Sequence, residues 1–127
     1  MEFTDWQPDP EAGPIYLQIT RLISEALAAG QIIPGEKLPS ARNLATLTGV
    51  NPNTVVHAYG ELEARGISET RRGLGTFIRS DIDVAGLRHQ ILSEAAQVYL
   101  AKSQDLGIST QEAVQILEEV AGASRDV

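Results

Sequence analysis

The stretch "VNPNTVVHAYGELEARG", Val50–Gly66, decides how the chain is read. Asn51 is a favoured helix N-cap, Pro52 suits the first helical position, where a missing N–H forfeits no hydrogen bond, and Gly66 suits the stop. At about 100° per residue, Val55, Ala58, Tyr59 and Leu62 fall on one side of such a helix. Asn53, His57 and Glu61 point the opposite way, with Thr54 beside them. The spacing predicts a helix over 52–65 with one side for a core and a polar outer side near its start.

Immediately upstream, "PSARNLATLTG" reads as a short helix. Ser40 can accept from its open backbone amides, Leu44, Ala45 and Leu47 face inward, and Gly49 suits a left-handed end. Two helices joined by "TGVN" match a helix-turn-helix, whose short Gly-containing turn sets the second helix steeply across the first. Further upstream, "PIYLQITRLISEALAAG" carries Ile15, Ile19, Leu22, Ile23, Ala26 and Leu27 on one stripe and closes at Gly30. "QIIPGEKL" turns around Pro34 and Gly35, with Ile32, Ile33 and Leu38 expected beneath it.

Downstream, "ISET" and "TFIR" are strand-like runs around "RRGLG", which predicts a hairpin with basic shoulders. The fold class is mainly α with a small β-hairpin, a winged helix-turn-helix over residues 12–80. Residues 1–11, rich in acids and proline, form an arm without a period, with Trp6 as a possible anchor. Over 81–127 the pattern is helical alone. Val84, Leu87, Ile91, Ala95, Val98 and Leu106 recur at helical intervals, and "STQE", Ser109–Glu112, is a capping box leading to Ala113, Ile116, Leu117 and Val120. Two helices of this size cannot enclose a core, so their apolar stripe needs a partner, and a second copy is the favoured one.

The chain of 127 residues has room for one compact domain and a small appendage. It lacks cysteine, which excludes disulfides and thiolate metal sites. No run approaches a membrane span and the start carries no leader pattern, so a cytoplasmic location without membrane contact is expected. The net charge of −7 is unevenly spread. From Lys37 to Arg79 six basic residues face three acidic ones, for +3, whereas the segments before and after each carry −5. Only the middle suits a phosphate surface.

Asparagine amides both donate and accept, so Asn51 and Asn53 can read a base edge, and Thr54 and His57 can reach bases or phosphates. Asn51 taken singly is explained by capping, and His57 by a solvated surface. Arg42 lies in the first turn of the preceding helix, where it can clamp a phosphate or form a surface ion pair. Arg71 and Arg72 precede Gly73 and Gly75, whose missing side chains let backbone approach a duplex while a basic side chain enters its minor groove.

The pieces "PIYLQI", "GEKLPSARNLA", "GVNPNTVVHAYGELEARG" and "RRGLGTFI" together resemble the GntR family of bacterial transcription regulators, over Pro14–Ser80. The short tail resembles that of the YtrA type, whose two C-terminal helices serve dimerisation. The resemblance implies DNA contacts by Ser40 and Arg42 and a wing tip at Gly75 and Thr76. Many members carry arginine where this chain has Pro52 and Val56, which places more of the groove reading on Asn51, Asn53, Thr54 and His57.

The resulting expectation is a homodimeric repressor that needs no cofactor or metal and binds a two-fold site on double-stranded DNA. Helix 52–65 would enter the major groove and the 67–79 wing would lie at the minor groove. A small-molecule effector is compatible with this reading but unmarked in the sequence. A winged helix used for protein contact stays open, because +3 is modest. An enzyme is the weakest reading, since His57 and His89 are the only histidines and no phosphate loop or nucleophile motif appears.

Overall fold

A computed structural model describes residues 1–125, and it divides into two compact units, Met1–Arg88 and the remainder from His89. The first contains a one-turn 3-10 helix (Phe3–Asp5), α1 (Ile15–Ala28), α2 (Ala41–Thr48), α3 (Pro52–Ala64), β1 (Ser68–Arg71) and β2 (Gly75–Ile78). The helix α4 (Val84–Asp105) begins in the first unit and continues in the second, which also holds α5 (Thr110–Arg125).

The termini of the central helices are set by local chemistry. Ser40 Oγ accepts from the Asn43 N–H (3.1 Å), Asn51 Oδ1 accepts from the Asn53 N–H (2.8 Å), and Gly49 closes α2 at φ 72°, a left-handed conformation that costs other residues energy. Between them Val50 is buried and holds the turn to the core. The stripes read from sequence meet there: Ile19, Ile23 and Leu27 of α1, Leu44 of α2, and Val55, Ala58 and Leu62 of α3 are buried together with Ile32, Leu38, Ile67 and Ile78. Burial of each large side chain supplies about 1.5–3 kcal/mol.

Two side chains depart from expectation. Ile33 is exposed because it follows Ile32 into the turn, and only one of two successive side chains there can point inward. Leu47 is 41% exposed, because α2 is anchored through Leu44, Ala45 and Thr48, which leaves Leu47 at the edge of the buried stripe beside the N-terminal segment. That segment is itself packed. Phe3 is buried in the core, Trp6 lies partly buried against it, and Gln18 fastens the loop that follows by donating to the Asp9 and Gly13 carbonyls and accepting from the Asp9 N–H.

The hairpin is antiparallel, with Ser68 opposite Ile78, Thr70 opposite Thr76 and Arg71 opposite Gly75, so the turn comprises Arg72, Gly73 and Leu74. Each strand is shifted by one residue from the runs read in the sequence. A third extended piece joins β2, because Leu38 N–H donates to the Thr76 carbonyl (2.9 Å), Ile78 N–H donates to the Glu36 carbonyl (2.8 Å), and Lys37 pairs with Phe77.

Tyr59, buried in α3, donates its hydroxyl to the Pro39 carbonyl (2.6 Å), tying α3 to the residue before the α2 cap. Burial pushes this phenol well above the usual tyrosine range. The folded chain therefore holds Tyr59 neutral at a pH where the unfolded chain ionises it. Stability is full below about pH 10 and falls above it by up to about 1.4 kcal/mol per pH unit. Urea midpoints measured from pH 8 to 11 should fall more steeply in the wild type than in Tyr59→Phe; parallel curves would contradict this assignment.

In the second unit, Tyr99 donates its hydroxyl to the Ala113 carbonyl (2.6 Å) and Ala113 is buried, which joins α4 to α5. Ser109 Oγ accepts from the Glu112 N–H (3.1 Å), the capping contact expected from "STQE". No helix among the described residues is long and apolar enough to cross a membrane.

Candidate nucleic-acid interface

The outer face of the helix-turn-helix is built from the ends that the caps define. Arg42 and Asn43 lie exposed in the first turn of α2, and Asn51, Pro52, Asn53, Val56 and His57 lie exposed at the start of α3. Asn51 uses its carbonyl oxygen for capping, and its amide nitrogen has no hydrogen bond among the described residues; the Asn53 side chain likewise has none. Thr54 is half-buried beside them. Ser40 accepts one capping bond, and its own O–H remains available to a phosphate oxygen.

His57 is less free than its helical position implies. Its ring stacks on Tyr16 of α1 with centroids 3.6 Å apart and planes within 9°. One face of the imidazole is thus covered, and contact with a ligand is left to its other face and edge. This pairing joins residues 41 positions apart, so the local pattern around either one carries no sign of it.

The cations sort into two groups. Arg65 pairs with Glu61 (2.9 Å), Arg71 with Glu69 (2.9 Å) and Arg79 with Asp81 (3.0 Å). Arg71 also lies over the Phe77 ring, 4.3 Å from its centroid. The Asp81 hydrogen bond raises the pKa of Arg79, and the same contact lowers that of Asp81, both on the open surface. By contrast Lys37, Arg42 and Arg72 are exposed and have no ion-pair partner among the described residues. Of the six cations in the central segment, these three are the ones left without a carboxylate partner.

The wing also differs in detail from the sequence expectation. Gly75 and Thr76 are the first residues of β2, not the tip, and Thr76 is half-buried opposite Thr70. The tip is Arg72, Gly73 and Leu74, so of the two wing arginines Arg72 is the one at the turn with a free guanidinium. Lys37, absent from the candidates read in the sequence, stands on the strand beside the wing. Its one available signal was its place, three residues before the α2 cap.

A helix-turn-helix backed by α1, followed by a hairpin and displaying a polar helix start, defines the winged-helix class. The sequence pattern of the bacterial regulatory proteins of the gntR family matches residues 15–78. The chain belongs to the GntR family and is a transcriptional regulator of the helix-turn-helix type, similar to the YtrA branch.

It is 38% identical over 123 residues to the HTH-type transcriptional regulator Rv1152 of Mycobacterium tuberculosis, a match covering 94% of this chain and 98% of that one. It is 53% identical over 73 residues to the HTH-type transcriptional repressor YtrA of Bacillus subtilis, covering 57% of this chain and 56% of YtrA. Among solved structures, a GntR family transcriptional regulator from Listeria monocytogenes superposes with a TM-score of 0.79 at 31% identity, over 87% of this chain and 98% of that chain. The DNA-binding domain of AraR, solved in complex with operator ORX1, gives a TM-score of 0.51 at 31% identity, over 56% of this chain and 89% of that one.

Proposed function

We propose that the chain is a homodimeric repressor that occupies a two-fold operator, with α3 in the major groove and the 72–74 turn at the neighbouring minor groove. The observation that carries this reading is the start of α3, where the fold leaves unused the Asn51 amide nitrogen and the whole Asn53 side-chain amide. Such groups match the donor and acceptor pattern of base edges, and a helix start is the end that enters the groove. Arg42 and Arg72 supply free charge to either side, and Ser40, Thr54 and His57 complete the contact set, with Arg71, Gly75 and Thr76 shaping the wing. The operator seen with AraR, a structural neighbour, supports double-stranded DNA as the partner.

In this proposal residues 12–80 bind DNA, 81–127 pair two copies, and 1–11 brace α2. The action is occupancy of DNA in the cytoplasm, with no catalytic step and no bound cofactor. Acidic surface elsewhere weakens adhesion to arbitrary DNA, because its field opposes phosphates except at the docked face.

Selection of bound sequences from random duplexes tests the proposal, and a two-fold repeat is the expected product. On the selected duplex, Arg42→Ala should weaken binding to matched and scrambled sequences alike. Asn53→Ala should relax preference at particular base pairs by about 1–3 kcal/mol. A protein that enriches no sequence, and whose duplex binding ignores salt, would point to the protein-contact use of the fold.

A further inference from the structure

Lys37 lies outside both the helix-turn-helix and the hairpin, yet the fold carries it to the junction of the two. Its backbone is fixed as an added strand on β2 by the Leu38–Thr76 and Ile78–Glu36 hydrogen bonds and by its pairing with Phe77. Strand alternation then assigns faces. Lys37, Phe77 and Gly75 stand on one side with Glu69 and Arg71, while Ser68, Thr70, Thr76 and Ile78 share the other, of which only Ser68 and Ile78 are buried. Three residues on, the chain reaches the Ser40 cap and then Arg42.

The Lys37 stem crosses Gly75. A Cβ placed on that glycine would lie 2.9 Å from Lys37 Cε and 3.6 Å from Nζ, so the absence of a side chain leaves the lysine room over the base of the wing. Gly75 is also held at φ 120°, where other residues are strained. Its neighbour on that face, Arg71, is bound to Glu69 and laid on Phe77, whereas Lys37 has no carboxylate partner among the described residues. An exposed, unpaired ammonium carried on a backbone held between the start of α2 and the wing suits one ligand chemistry, a backbone phosphate between the grooves.

We propose that Lys37 is a phosphate-binding residue that links the α2 contact to the wing contact on the duplex. This rests on the DNA-binding reading above and adds to it a position, at the wing base, where the backbone must pass.

The test uses the full-length chain, a fluorescent duplex carrying the selected two-fold site, and a scrambled duplex of equal length. Affinity is measured at several salt concentrations between about 50 and 200 mM. Each lost phosphate contact reduces the slope of log affinity against log salt by about 0.9, and a dimer loses two. Lys37→Gln should therefore lower the slope by about 1.8 and weaken both duplexes by roughly 10- to 100-fold near 0.1 M salt. Lys37→Arg should restore slope and affinity, which repair of a merely structural role would not do through charge alone. A Lys37→Gln slope equal to wild type, in a protein whose Arg42→Gln variant does lose slope, overturns the proposal and leaves the DNA-binding reading standing. Absence of duplex binding by the wild type overturns both.

Discussion

If two copies pair as proposed, replacing Leu117 and Val120 together with aspartate should convert that dimer to the 13.7 kDa single chain and lower operator affinity by about 10²- to 10⁴-fold. Both side chains are exposed on α5, together with Val114, and the three span an arc of about 120°. On α4, Leu92 and Val98 are 73 and 70% exposed, and Leu106, just past its end, is 68% exposed. Apolar groups on both helices of a unit this small are left uncovered within the chain, and a second copy would cover them. Since the two altered positions are open in the single chain, the change there is within about 0.5 kcal/mol, whereas in the proposed interface it buries charge without a partner. Light scattering gives the mass, circular dichroism checks that helicity is kept, and titration on one-half-site and two-half-site duplexes gives the affinity. The expected loss appears on the paired site and is small on the single one. A variant that stays dimeric, or a wild type of 13.7 kDa, defeats the prediction.

The elements that could be read from sequence are those whose determinants are close in the chain. Asn51, Pro52 and Gly66 bound α3 by capping chemistry within a few residues, and Ser109 and Glu112 announce α5 in the same way. The hairpin followed from its glycines, although the strand bounds moved by one residue because the turn uses only Arg72, Gly73 and Leu74. What escaped depends on distant partners. Nothing near Phe3 signals that it is buried, since an acidic, proline-rich segment has no period and the slot it fills is made by other parts of the chain. The Tyr16–His57 stack and the pairing of Lys37 with Phe77 are of this kind.

Charge was legible in amount but not in availability. Counting gave +3 for the central segment, and the geometry shows that three of its six cations are engaged. The spacing of Arg65 from Glu61 is a helical neighbour relation, and that of Arg71 from Glu69 is a same-face strand relation, so both pairings were open to inference. Exposed pairs of this sort contribute about 0–1 kcal/mol to stability. Their consequence is a narrowing of the surface that can meet phosphate to Lys37, Arg42 and Arg72.

Recognition by α3 also requires that the helix keep its place, and Leu62→Ala should show how strongly the core holds it. Leu62 is fully buried in the cluster that joins α3 to α1, α2 and β2. Truncation removes its transfer energy and leaves a cavity that close-packed neighbours fill only in part, for a loss of about 2–5 kcal/mol. Against a typical stability of about 5–15 kcal/mol this is a large fraction, and at about 4–8 °C per kcal/mol the melting temperature should fall by roughly 10–30 °C. Val56, on the same helix but exposed, provides the control: Val56→Ala should change stability by no more than about 0.5 kcal/mol. The two variants separate holding the helix from reading with it. Kept well below its own melting temperature, Leu62→Ala should bind the selected duplex within a few-fold of wild type, because Asn51, Asn53 and Arg42 are untouched. Equal melting of Leu62→Ala and wild type would show that the packing assigned to α3 is wrong, and loss of binding by a fully folded Leu62→Ala would show that the core and the reading face are not separable.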